Sequence, residues 1–208
     1  GAKIVIADLH EENSRKRVAA VKAAGSDAIF VPTNVTLKAD LERAAAEAKK
    51  AFGKVTILVN GAGVNSATPY LDIPEAEWQK IIDINLKGVF NCTKAVVDTM
   101  LAQQSGVILN ASSSVGLSGN FGQTNYAAAK AGVIGMMKTW ARELGRKGIR
   151  CNAICPGVIA TEILKSIPES VMRALEEKVP LGRLGQPEEI ANTFAWLASD
   201  EASYINGA

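Results

Sequence analysis

The stretch "VTILVNGAG" (residues 55–63) runs through aliphatic or β-branched side chains and then stops at an asparagine and two glycines. An apolar run without polar alternation suits a strand covered on both faces, and glycines at its end let a flat ligand lie against the backbone. Similar runs occur at "KIVIAD" (3–8), "AIFVP" (28–32), "GVILNAS" (106–112) and "IRCNAICP" (149–156). Between them lie alanine-rich segments of helical period at 11–25, 37–53, 73–104 and 123–148, with another at 187–202. Pro74 and Pro187 suit first-turn positions, and Gly25, Gly53 and Gly148 suit helix stops. Strands that each lead into a helix predict a doubly wound, parallel, Rossmann-like α/β sheet in a single domain over 1–208. Residues 162–186 are the least regular stretch and are expected to form a lid.

Composition narrows the partners. The 208 residues are 48% hydrophobic, and 23 basic against 21 acidic side chains give a formal charge of +2, with no basic run to hold nucleic acid. No apolar stretch reaches the length of a membrane span, and the opening "GAKIVIADLH" lacks the regions of a signal peptide. The chain reads as soluble and cytoplasmic, with the mitochondrial matrix as the alternative. Cys92, Cys151 and Cys155 form no CxxC pair and are expected to be reduced core thiols. His10 is the only histidine, which leaves little room for Ser-His-Asp chemistry or a zinc site, and no metal is expected.

In a sheet of this kind ligands sit outside the carboxyl ends of the strands. The residues there are Asp8, Asn34, Asn60 to Gly63, Ser112 to Ser114 and Pro156 to Thr161. Asp8 could accept hydrogen bonds from an adenosine ribose and repel a 2′-phosphate, although an ordinary capping aspartate would look the same. Asn85 lies inside a helical pattern where an amide is a mediocre helix former, so it either faces solvent or serves a hydrogen-bonding task. In "GQTNYAAAK" (122–130), Tyr126 and Lys130 are four apart and share a helix face. A cation there is expected to draw the phenol's pKa down toward working pH, as a general acid/base requires. Ser113, at the end of the preceding strand, could donate to a substrate oxygen.

Taken together, Asn60-Gly61-Ala62-Gly63, Asn85, Ser113, Tyr126-Ala-Ala-Ala-Lys130 and Pro156-Gly157-Val-Ile159-Ala-Thr161 resemble, in order and spacing, the short-chain dehydrogenase/reductase family. The resemblance covers essentially the whole chain. Residues 122–157 look most like its 3-oxoacyl-(acyl-carrier-protein) reductases and the related 17β-hydroxysteroid dehydrogenase type 8 branch. It implies a hydride transfer between NAD(H) and a secondary alcohol or ketone, a 3-hydroxyacyl/3-oxoacyl thioester or a hydroxysteroid, with NADP the less favoured cofactor. Tyr126 would be the proton donor or acceptor and Ser113 would steady the carbonyl. Lys130 would tune Tyr126 and bind the nicotinamide ribose, and Asn85 would hold a water.

The resemblance also places Asp8 and Leu9 at the adenosine ribose and Asn34 and Val35 at the adenine. Asn60, Gly61, Ala62 and Gly63 would run along the cofactor, and Pro156, Gly157, Ile159 and Thr161 would lie at the carboxamide. Asn34 stands where the family has Asp, and its side-chain oxygen is expected to accept from the adenine amino group. The family's first strand, with its glycine-rich turn, and its last strand are not in this sequence. The expectation is therefore that the 208 residues are part of a longer polypeptide. A non-catalytic subunit or scaffold is the alternative function. Apolar substrate contacts are expected from Leu117, Phe121, Ile163 and Leu164. A homotetramer is expected through the long helices carrying Val96, Val97, Met100, Met136, Met137 and Trp140.

Overall fold

The structure, a computed structural model, describes residues 1–161, 172–173 and 176–208. Five parallel strands are present among the described residues: β1 (Ile4–Asp8), β2 (Ala28–Pro32), β3 (Ile57–Asn60), β4 (Gly106–Ala111) and β5 (Ile149–Ile154). All five coincide with the apolar runs. The helices are α1 (Glu11–Ala23), α2 (Lys38–Phe52), α3 (Glu75–Ile82), α4 (Gly88–Gln103), α5 (Val115–Ser118), α6 (Thr124–Leu144) and α7 (Pro187–Ala198).

The strands form two ladders, β1 with β2 and β3-β4-β5, which are not hydrogen-bonded to each other. At the division β3 is an edge strand, and Val59 on it is 50% exposed. At the other edge, Gly207 N–H donates to the Cys151 carbonyl (2.8 Å) and Ala153 N–H to the Ala208 carbonyl (2.9 Å), so the last residues begin to pair alongside β5.

The main core lies between β4, β5 and the helices α2, α4 and α6, around Met100, Ile108, Met137, Ile149 and Cys151. A second cluster under α7 joins Leu109, Leu197 and Ala202. Val96, Met100 and Met137, expected as interface residues, are buried in the first core, and Val97 and Trp140 pack against it. Their apolar character is explained by helix-on-sheet packing. Burial pushes the Cys92 thiol up to about 11 and Cys151 up to about 12, so both behave as inert apolar groups.

The segment read as one helix over 73–104 is interrupted. Residues Asp83–Lys87 form a π turn between α3 and α4, and the buried Asn85 sits within it. Such bulges open the i→i−4 ladder, and here the Asn85 amide donates to the Ile81 carbonyl four residues back (3.1 Å).

Gly148 marks the turn into β5. Its φ of +78° lies in the left-handed region, and a Cβ there would run into the Gln104 carbonyl. Gly148→Ala is expected to cost about 1–2 kcal/mol or more, read as a Tm several degrees lower in thermal unfolding.

Candidate active site

The site lies at the carboxyl ends of β3, β4 and β5. Ser112 and Ser113 follow β4 directly, and Ser114 N–H donates to the Pro156 carbonyl (3.0 Å), tying that turn to the loop after β5. Helix α6 then crosses the strand ends and presents Tyr126 and Lys130 on one face, as their spacing predicts.

Lys130 is anchored twice. Its Nζ donates to the Ala111 carbonyl (2.7 Å), and its own carbonyl accepts the Ser112 hydroxyl (2.8 Å). The ammonium lies 5.5 Å from the centroid of the Tyr126 ring. The residue is only 4% exposed, and burial lowers its pKa to about 8.

Tyr126 departs from expectation. Its pKa is raised, chiefly because burial penalises the phenolate, while a hydrogen bond from Ser113 pulls the other way. The sequence reading had Lys130 drawing the phenol down. In the folded chain desolvation decides the direction, offset in part by Ser113, and it acts on both partners at once. Burial therefore favours a protonated tyrosine beside a lysine that titrates near neutrality.

Asn85 is held at both ends of its amide. Its Oδ1 accepts the Val64 N–H (3.2 Å), and its Nδ2 donates to the carbonyls of Val64 (2.8 Å) and Ile81 (3.1 Å). The π turn thus holds the loop after β3 beside Lys130. Gly63 is on that loop, and a Cβ there would come within 2.8 Å of Asn85 Oδ1 and 3.5 Å of Lys130 Nζ.

Asn60 does not reach the ligand surface with its side chain. It is 4% exposed, and its Nδ2 donates to Thr93 (3.1 Å) and to Asn110 (2.9 Å), whose amide donates in turn to the Asn152 carbonyl (3.0 Å). This buried chain of amides joins β3, β4 and β5. Sequence reasoning passed over Asn110 and Asn152, although an amide inside an apolar strand is a legible signal that it needs a partner.

Asn125 was missed as well. It is fully buried, with Oδ1 accepting the Ser66 hydroxyl (3.0 Å) and the Tyr126 N–H (2.8 Å). Gln123 likewise donates to Asn65 (2.7 Å), so the first turn of α6 is fastened to the loop after β3.

At the carboxyl end of the β1–β2 ladder, Asp8 closes β1 and Leu9 follows it, both exposed. One Asp8 oxygen accepts the His10 N–H (2.8 Å), leaving the second carboxylate oxygen for a ligand. Asn34 and Val35 follow β2, and Pro156, Gly157, Ile159 and Thr161 follow β5, with Ile159 bridging to Gly185. Leu117 and Phe121 are 70% and 86% exposed. Ile163 and Leu164 lie outside the described residues, as does much of the expected lid.

The family model described as enoyl-(acyl carrier protein) reductase matches residues 1–208. The chain is a short-chain dehydrogenase/reductase. It is 42% identical over 207 residues to the 3-oxoacyl-(acyl-carrier-protein) reductase FabG of Thermotoga maritima, covering 100% of this chain and 84% of that protein. The FabG of Staphylococcus epidermidis strain RP62A is 44% identical over 187 residues, 90% of this chain and 77% of that one. Among solved structures, the crystal structure of gox2181 superposes with a TM-score of 0.96 at 37% identity, covering 100% of this chain and 83% of that chain.

A member of this family is an oxidoreductase that uses a nicotinamide cofactor, and the strand ends fit such a group. Gly61, Ala62 and Gly63 are exposed, and no atom stands within 4 Å of where a Cβ on Gly61 or Gly157 would lie, so backbone is open to a ligand there. Lys130 spends one donor on Ala111 and keeps two. No helix among the described residues is long and apolar enough to cross a membrane.

A lysine whose folded pKa lies below its unfolded value binds fewer protons folded than unfolded between the two, so stability rises with pH across that window. Relative to Lys130→Met, the wild type is expected to gain on the order of 1–3 kcal/mol between about pH 8 and pH 10. Urea unfolding of both proteins at several pH values measures this, and a pH-independent difference would contradict the buried charge.

Proposed function

We propose that this reductase interconverts a ketone and a secondary alcohol on an acyl thioester, a 3-oxoacyl group being the favoured substrate class. Tyr126 is the general acid/base and NAD(H) the cofactor. The observation that carries the reading is the meeting of Ser113, Tyr126 and Lys130 at the end of β4, beside an open glycine backbone. The names of the Thermotoga and Staphylococcus relatives support the thioester class.

Gly61 to Gly63 would hold a nicotinamide cofactor, which would supply or accept the hydride. In the reducing direction Tyr126 rests protonated, because burial holds its pKa up, and gives its proton to the carbonyl oxygen. Ser113 donates a hydrogen bond to that oxygen and steadies the charge as it develops. The Lys130 ammonium stabilises the phenolate left behind, and its two free donors suit the hydroxyls of a ribose. With a pKa of about 8, Lys130 can also pass a proton on near neutrality. Asn85 Oδ1 accepts one hydrogen bond and keeps its second lone pair for a relay water.

Asp8 supports NAD. A 2′-phosphate would face its carboxylate, and Arg43, which reaches the Pro32 carbonyl opposite Asp8 in the β1–β2 register, is committed to Asp40 (2.8 Å). A homotetramer through α4 and α6 belongs to the same reading, supported by Phe90, an apolar side chain 49% exposed on α4.

Turnover of 3-oxoacyl thioesters against hydroxysteroids and simple sugars, with each dinucleotide, tests the assignment. Tyr126→Phe is expected to lower kcat roughly 10²- to 10⁴-fold while leaving dinucleotide affinity nearly unchanged. Retained turnover would return the chain to the subunit or scaffold reading. Asp8→Asn is expected to move the kcat/KM ratio toward NADP by about tenfold, and an unmoved ratio removes Asp8 from cofactor choice.

A further inference from the structure

Resting on the proposed cofactor site, a specificity of this chain's own follows from the hydrogen bonds of Asn34. Asn34 lies two residues past the end of β2, close to the end of β1, where Thr33 N–H donates to the Asp8 carbonyl (2.9 Å). A dinucleotide whose ribose meets Asp8 carries its base on that same ribose, one strand further toward the edge, which is where Asn34 stands.

The orientation of the Asn34 amide is decided by its neighbour. The Thr36 N–H can only donate, so the atom receiving it at 3.0 Å is the side-chain oxygen. The Thr36 hydroxyl lies 2.8 Å from the same oxygen, which occupies its second lone pair. The oxygen expected to accept from the adenine amino group is therefore spent. Nδ2 points the other way and has no partner among the described residues, and the Val35 N–H beside it has none either.

We infer that Asn34 makes the base-binding end of the cofactor site a donor surface, which does not select adenine by its amino group and accepts a 6-oxopurine at least as well. Adenine presents an N6 amino donor between the ring acceptors N1 and N7, whereas hypoxanthine presents an O6 acceptor in place of the amino group. A 6-oxopurine carries a proton on N1, so the match is to its O6/N7 edge, where two N–H donors meet two adjacent acceptors while the same edge of adenine offers only N7. A carboxylate at this position would keep the Thr36 bonds with one oxygen and show a second acceptor where Nδ2 now lies. That acceptor is what the adenine amino group requires, and it repels a 6-oxo group.

Dissociation constants of the full chain for NADH and for reduced nicotinamide hypoxanthine dinucleotide, measured by calorimetry without substrate, test the inference. The wild type is expected to bind the hypoxanthine form at least as tightly as NADH, within about threefold, and Asn34→Asp to shift the ratio toward NADH by about tenfold or more. A wild-type preference for NADH of about tenfold or more overturns the inference, and the wild-type comparison decides even if a second carboxylate beside Asp40 impairs folding of the variant. An Asn34→Asp ratio unchanged from wild type in a folded protein overturns it too. Failure to bind either dinucleotide is a different result, since it removes the cofactor reading and this inference together; binding of both without turnover leaves the inference standing and removes only the reductase.

Discussion

Lys130 is held at two points, and the site is built on that clamp. Its ammonium reaches back to the Ala111 carbonyl while Ser112 holds its own carbonyl, so one residue of α6 is bonded to two consecutive residues at the end of β4. Both bonds are buried or nearly so, where a lost partner leaves a polar group stranded away from water. The clamp sets the height of α6 above the sheet. That height places Tyr126, one turn earlier, next to Ser113.

The same burial sets the electrostatics. Taking an ammonium out of water lowers its affinity for a proton, and taking a phenol out of water raises its own, so burial favours the neutral form of each and drives the two pKa values apart. Near neutrality the phenol therefore rests protonated, and the lysine beside it is still mostly an ammonium. The cost is borne by the fold, which supports the buried charge with the main-chain carbonyl at the end of β4 and with the polar loop fastened by Asn85, Asn125 and Gln123.

Buried amides carry much of this positioning. Asn60, Asn110 and Asn152 link three adjacent strands near the ends from which the site residues emerge. Asn85 is fixed by a π turn that an uninterrupted α-helix would not provide. Because each of these bonds is made in a place closed to solvent, shifting any strand or loop by a fraction of its bond length leaves an amide unpaired. Rigidity at the strand ends follows, and the open glycine backbone of 61–63 lies within it.

Strand positions, the alternation with helices, the parallel sheet and the shared face of Tyr126 and Lys130 were all determined by sequence, because apolar period and i, i+4 spacing are local properties of the chain. Asn85 was legible as an anomaly, since an amide inside a helical pattern calls for a partner, but not as a π turn, because its partners at Val64 and Ile81 are set by how a loop folds back. The direction of the Tyr126 shift, the inward turn of Asn60 and the spent oxygen of Asn34 were decided only by tertiary structure. Each depends on solvent exclusion or on which donor arrives first, and those are fixed by segments that meet in space and not by the residues beside them in the chain.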